Sequence, residues 1–162
     1  MAYAIHSLAG AQPIANFEAT AMHPLGTIVR ATDPTYGEGE FIYLKGAANT
    51  VVGSVVTYSQ DDNSTTLLAA NAIDPVAFAM SANVANQYGW YQIFGKAVAK
   101  GLSGLVDNAN CYATATAGSL DDAVVAGDRI KCCKTASALD TPSTGLVEIE
   151  CQYPYMDDGL AA

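Results

Sequence analysis

The sequence predicts an all-β fold, an antiparallel sandwich or barrel of jelly-roll-like or tulip-like form, and three observations carry that reading. Runs rich in Val, Ile, Thr and Tyr are short and closely spaced, about ten in all. Fourteen glycines, with Asp-Pro and Asp-Asn turns between them, punctuate the chain. No stretch sustains the period of an amphipathic helix, and the longest candidate, residues 65–72, is about two turns, too short to stand alone. With 162 residues the chain is about one domain long and can bury a sizeable core unaided.

Residues 1–26 read as an N-terminal arm. They hold one carboxylate, Glu18, no Lys or Arg, many alanines, and Pro13 and Pro24 as breaks. Such a segment is too apolar for a disordered tail, so the expectation is an ordered arm lying on the body or on a neighbour. Residues 27–152 read as the β domain. TIVRA opens it and is ended by Asp33 and Pro34. GEGEFIYLKG follows, with Glu40, Ile42 and Leu44 on one face and Phe41, Tyr43 and Lys45 on the other. VVGSVVTYS is the next strand; after the DDNS turn, TTLLAA is a strand or short helix, and Asp74 before Pro75 stops what precedes it. In PVAFAMSAN, Val76, Phe78 and Met80 face one way and small alanines the other, which lets a second sheet come close.

Residues 84–100, VANQYGWYQIFGKAVAK, read as the central strand pair. From Tyr88 the side chains alternate, with Tyr88, Trp90, Gln92 and Phe94 on one face and Gly89, Tyr91, Ile93 and Gly95 on the other. Large apolar groups on both faces demand cover on both, either inside a sandwich or between a core and a partner subunit. Beyond Gly101, NCYATATAG alternates, and SLDDAVVAGDRIKCCK reads as strand, tight turn, strand. LVEIECQY closes the domain, with Leu146, Glu148 and Glu150 opposed to Val147, Ile149 and Cys151, a glutamate face that is wet or partnered. Residues 153–162, YPYMDDGLAA, form a C-terminal tail, either a peptide docked by its tyrosines or an unstructured end.

Composition narrows the function. Charged residues are 14% of the chain and AVILMFWYC residues 51%, so the surface is poor in charge and part of it is expected to lie against another chain. The formal net charge of −9 argues against a nucleic-acid partner, because the seven Lys and Arg are scattered except for Arg129, Lys131 and Lys134. In a regular strand these would put Arg129, Lys131 and Cys133 on one face and Ile130, Cys132 and Lys134 on the other, an ordinary solvated face in preference to an anion site. No run approaches ~18 uninterrupted apolar residues, so no membrane partner is expected. MAYAIHSLAGAQ lacks a basic leader region, which points to synthesis in the cytoplasm. Cys111, Cys132, Cys133 and Cys151 lack metal spacing and read as reduced, mostly buried thiols, with one disulfide between strands or subunits as the alternative.

The search for chemistry ends without catalytic, metal-ligating or cofactor-binding residues, so no enzyme and no cofactor are expected. His6 and His23 both lie in the arm, which lacks the flanking structure to hold a base against a thiol. The pairs Asp61-Asp62, Asp121-Asp122 and Asp157-Asp158 lack calcium-loop spacing and read as turn residues. Tyr88, Trp90 and Tyr91 suit a sugar-stacking platform, although aromatics on a strand more often belong to a core or interface.

One family pattern matches the middle of the chain. GEFIYLKG, VVGSVVTY, PVAFA and YGWYQIFG, in that order between Glu38 and Lys100, resemble small decoration or cement proteins of tailed-bacteriophage heads. The resemblance implies a β-rich, non-enzymatic protein on the virion capsid surface. It would bind the outer lattice of the major capsid protein, associate with copies of itself, a trimer being favoured, and stabilise the head. The arm at 1–26 and one aromatic sheet face are the expected contacts. The alternative is a carbohydrate-binding or adhesin-like β-sandwich module of a phage tail or fibre, using the aromatics from Tyr88 to Tyr91.

Overall fold

The computed structural model describes residues 3–5, 7, 8 and 10–157, and among these it holds twelve strands and no helix. The arm supplies β1 (Ala4–Ile5) and β2 (Phe17–Glu18). The body runs through β3 (Ile28–Asp33), β4 (Gly37–Lys45), β5 (Val55–Tyr58), β6 (Thr65–Leu67) and β7 (Val76–Ala79) into the long β8 (Tyr88–Lys100). It finishes with β9 (Asn110–Ala113), β10 (Leu120–Asp121), β11 (Arg129–Thr135) and β12 (Leu146–Met156). The hydrogen-bonded order is β1, β3, β4, β8, β12, β11, β9, β10; β2 and β7 also join β8, and β5 and β6 follow through β7. All pairings between these strands are antiparallel, as an all-β sandwich requires.

The expected central strand pair is one continuous strand. β8 pairs β4 and β12 and touches β2 and β7, so it is the hub of the network. Its alternation is as the sequence reads from Trp90 to Ile93, but the extra residue Ile93 takes Phe94 off the Trp90 and Gln92 face and sets it opposite Glu40. Trp90 enters a core with Phe41, Tyr43, Val29 and Met80, whereas Tyr91 and Ile93 enter another with Ile42, Leu44, Ala77 and Ala79. The small alanines of β7 allow the Tyr91 ring its close approach. A third core gathers Val55, Phe78, Leu120, Ile130, Val147 and Ile149. Both faces of β8 are therefore covered within the chain from Trp90 to Ile93, while Phe94 to Lys96 stay half-exposed. Met80, past the end of β7, parts from Val76 and Phe78 and joins the Trp90 core. The arm lies on the body: β1 pairs β3, β2 pairs β8, and Tyr3 and Ile14 are buried in the Trp90 core.

Several boundaries move. The 65–72 helix candidate is the short strand β6, because its hydrogen bonds go to β5. Val51 to Gly53 form a turn ahead of β5. Val124 and Val125 lie in an exposed turn after the two-residue β10. The tail is in part structured: residues 153–156 continue β12, with Lys131 opposite Tyr155 and Ile130 opposite Met156. Residues 158–162 fall outside the described residues.

One irregularity in β8 sets the outer surface. Glu40 pairs with Phe94 but Phe41 pairs with Gln92, so Ile93 is an extra residue. The buried Gln92 amide donates to the carbonyls of Phe94 and Lys96, each at 3.0 Å. Gly95, at φ +100, completes the kink; a Cβ there would lie 2.6 Å from the Glu38 carbonyl oxygen.

Burial holds the hydroxyls of Tyr3, Tyr58 and Tyr91 protonated above their ordinary value of 10.0. The unfolded chain therefore loses these protons first, so their contribution is complete below about pH 10 and declines as pH climbs through the folded values. We expect the thermal midpoint to be flat from neutrality to about pH 9 and to fall steeply above pH 10, with tyrosinate absorbance rising together with unfolding. Tyrosinate appearing fully before the loss of circular dichroism would contradict this packing.

Candidate functional site

The ladder parts around Cys132, and a hollow opens there. Between Lys131 and Cys133 the register of β11 against β12 shifts, so Gln152 to Pro154 stand opposite Cys132; the register against β9 shifts as well. Cys132 takes φ 58 and Tyr153 takes φ 51, both left-handed. This bulge overturns the regular alternation expected of DRIKCCK. Ile130, Cys133 and Thr135 point inward, while Arg129, Cys132 and Lys134 are exposed. A hollow of about 520 Å³ results, with Phe94, Lys96, Arg129, Cys132, Lys134 and Glu150 among its walls. A second, about 290 Å³, is lined by Arg30, Glu38, Glu40, Phe94 and Tyr153, so the two meet at Phe94.

Cross-strand ion pairs knit this face. Arg30 meets Glu40 at 2.7 Å between β3 and β4, and Lys96 meets Glu148 at 2.6 Å between β8 and β12. Lys134 meets Glu150 at 3.1 Å and Lys131 meets Asp157 at 2.6 Å, tying β11 to β12 and its end. The expected glutamate face is thus matched by lysines of the flanking strands. Arg129 donates to Asn110 at 2.8 Å, and Lys131 lies 6.0 Å from the Tyr155 ring centre. The Tyr153 hydroxyl donates to Glu40, which raises its pKa because the carboxylate holds the proton, and its ring packs 5.6 Å from Phe94. Exposed pairs of this kind contribute little stability each, about 0–1 kcal/mol, so their consequence is the charge pattern.

That pattern is uneven. Five of the seven basic residues, Arg30, Lys96, Arg129, Lys131 and Lys134, share this face with five carboxylates, Glu38, Glu40, Glu148, Glu150 and Asp157. These ten groups cancel. The net −9 is carried by the remainder of the chain, where Lys45 and Lys100 oppose eleven acids.

The other candidates are structural. Trp90 and Tyr91 are fully buried on opposite faces, as core residues of a strand, so the alternative of a sugar platform at Tyr88 to Tyr91 has no surface there. His23 packs edge-on against Tyr43 and tilted against Trp90 and shares a hydrogen bond of 2.6 Å with Gln12; His6 lies outside the described residues. Asp62 accepts from the Ser64 amide and hydroxyl, which lowers its pKa, and Asp122 accepts from the Val106 amide. Asp158 lies outside the described residues. Among the described residues no group of three or more His, Cys, Asp or Glu is arranged to hold a metal ion.

Four free thiols divide three to one. Cys111, Cys133 and Cys151 are buried, with the Cys111 and Cys133 sulfurs 3.6 Å apart, whereas Cys132 is exposed. The Cys111 contact and burial push the Cys133 thiol well up, and burial raises Cys151. We expect only Cys132 to react with a water-soluble thiol reagent in the native chain and all four after denaturation, read by mass spectrometry. Prompt labelling of Cys111 or Cys151 would mean that the third core opens.

The arrangement presents aromatic rings, paired charges and shallow hollows, which suits recognition by area. Sequence reasoning missed this face because Phe94 and Tyr153 meet across bulges. The available signal was the alternation Glu148, Glu150, Gln152 on β12. No protein-family model, no curated protein and no solved structure matches this chain.

Proposed function

We propose that this chain is a non-enzymatic decoration, or cement, protein of a tailed-bacteriophage head. In this reading it binds the outer lattice of the major capsid protein on the virion, associates with copies of itself, a trimer being favoured, and needs no cofactor. The observation that carries the reading is the placement of the four stretches on which the family resemblance rests. They fall on β4, β5, β7 and β8, and these strands are neighbours: β4 pairs β8, β8 pairs β7, and β7 pairs β5. The resemblance therefore covers one continuous piece of sheet, largely buried on both faces and rigid enough to present its turns to a lattice.

The test is co-sedimentation of the purified protein with empty heads. The expected result is saturable binding to expanded heads and a raised head-disruption temperature. Absence of binding with a fully folded protein would overturn the proposal. The alternative, a carbohydrate-binding module of a tail or fibre, has lost the platform at Tyr88 to Tyr91; glycan-array binding that Phe94→Ala abolishes would favour it instead.

A further inference from the structure

We propose that the outer face of β8, β12 and β11, centred on Phe94, is the surface through which copies of this chain bind one another. This rests on the self-association contained in the functional reading and names the face that performs it.

At physiological ionic strength charges act over about 8 Å, so what matters in a contact is the local balance rather than the total. A copy approaching any acidic part of this chain meets like charge. On the Phe94 face the ten charged groups cancel instead. Its cations and carboxylates alternate across neighbouring strands, so copies arranged about a rotation axis can set lysine against glutamate without a net field. Several exposed aliphatic side chains elsewhere lack this property. Ile73 precedes Asp74, Val106 precedes Asp107, and Val124 and Val125 sit between Asp122 and Asp128, so two such tips would oppose their acids.

Shape supplies the second argument. The Phe94 face has hollows of about 520 and 290 Å³ and, on β12, half-exposed Tyr153, which walls the smaller hollow, and half-exposed Tyr155. Tyrosine in a concave, charge-balanced setting is a favoured interface anchor. The face also carries the exposed thiol, Cys132, on the wall of the larger hollow. Association would cover it, which makes Cys132 a built-in reporter.

The experiment is sedimentation velocity of the full chain across a concentration series, run alongside the rate at which N-ethylmaleimide labels Cys132. The expected result is an oligomer in which Cys132 labels at least about tenfold more slowly than in the dissociated chain. Lys134→Glu places two carboxylates at the Glu150 position; it should weaken association about tenfold or more and restore rapid labelling. The double swap Lys134→Glu with Glu150→Lys re-forms the pair and should recover both. A chain that is monomeric at every concentration overturns the proposal, as does an oligomer whose Cys132 labels at the free rate. Head binding is read separately: a monomer that binds heads sinks this inference alone, and an oligomer that protects Cys132 but ignores heads sinks the capsid reading alone.

Discussion

Trp90→Ala is expected to lower the unfolding free energy by about 3–5 kcal/mol, the range for emptying a large aromatic site in a packed core. The indole is fully buried, with Tyr43 at 5.0 Å and His23 at 5.6 Å between ring centres. His23 belongs to the arm, so the same ring fastens residues 10–26 to the body, and the variant should also become sensitive to protease there. Trp90→Phe should lose far less, about 1–2 kcal/mol, since a ring remains and the indole N–H finds no acceptor among the described residues. Urea unfolding followed by circular dichroism separates the two. An alanine variant within about 1 kcal/mol of the parent would mean that the arm and β4 collapse into the space, contrary to a close-packed core.

Gly46→Ala is expected to cost about 3 kcal/mol although it adds a single methyl group. A Cβ at Gly46 would lie 2.0 Å from the Asn83 carbonyl oxygen and 2.6 Å from that of Val84, and both contacts are backbone. The opposing turn is not free to retreat. Asn83 is buried and donates to the Tyr91 hydroxyl at 3.1 Å, the Gln87 amide donates to Val84 at 3.0 Å, and the Gly46 amide itself donates to Gln87 at 2.8 Å. Relief would require moving the end of β4 away from the start of β8. A thermal midpoint unchanged by the substitution would show that this junction yields.

How much of this was legible in the sequence depends on where the backbone is regular. On β4 and along β12 from Val147 to Cys151, alternation alone placed each side chain on its observed face, because period two survives wherever the ladder is unbroken. The same rule failed at Cys132, where one left-handed residue moves every later side chain of β11 to the other face. Nothing local marks it: a non-glycine residue at positive φ is held there by the neighbouring strands. The tail was misread for a related reason. Pro154 argues against a strand, yet it stands opposite the Cys132 bulge, where no ladder hydrogen bond is required of it. The Phe94 face was invisible because its ion pairs join residues such as Lys96 and Glu148, which only the strand order brings together.

Among the described residues the sheet path begins at β1 and ends at β10, each two residues long, and its side branches end in β2 and β6, of two and three residues. So little backbone at either margin offers almost no template on which a stray chain can continue the ladder, and fibril growth has no foothold there. A molecule blunted in this way can be crowded at high density on a surface without polymerising end to end, leaving joining to its broad sides.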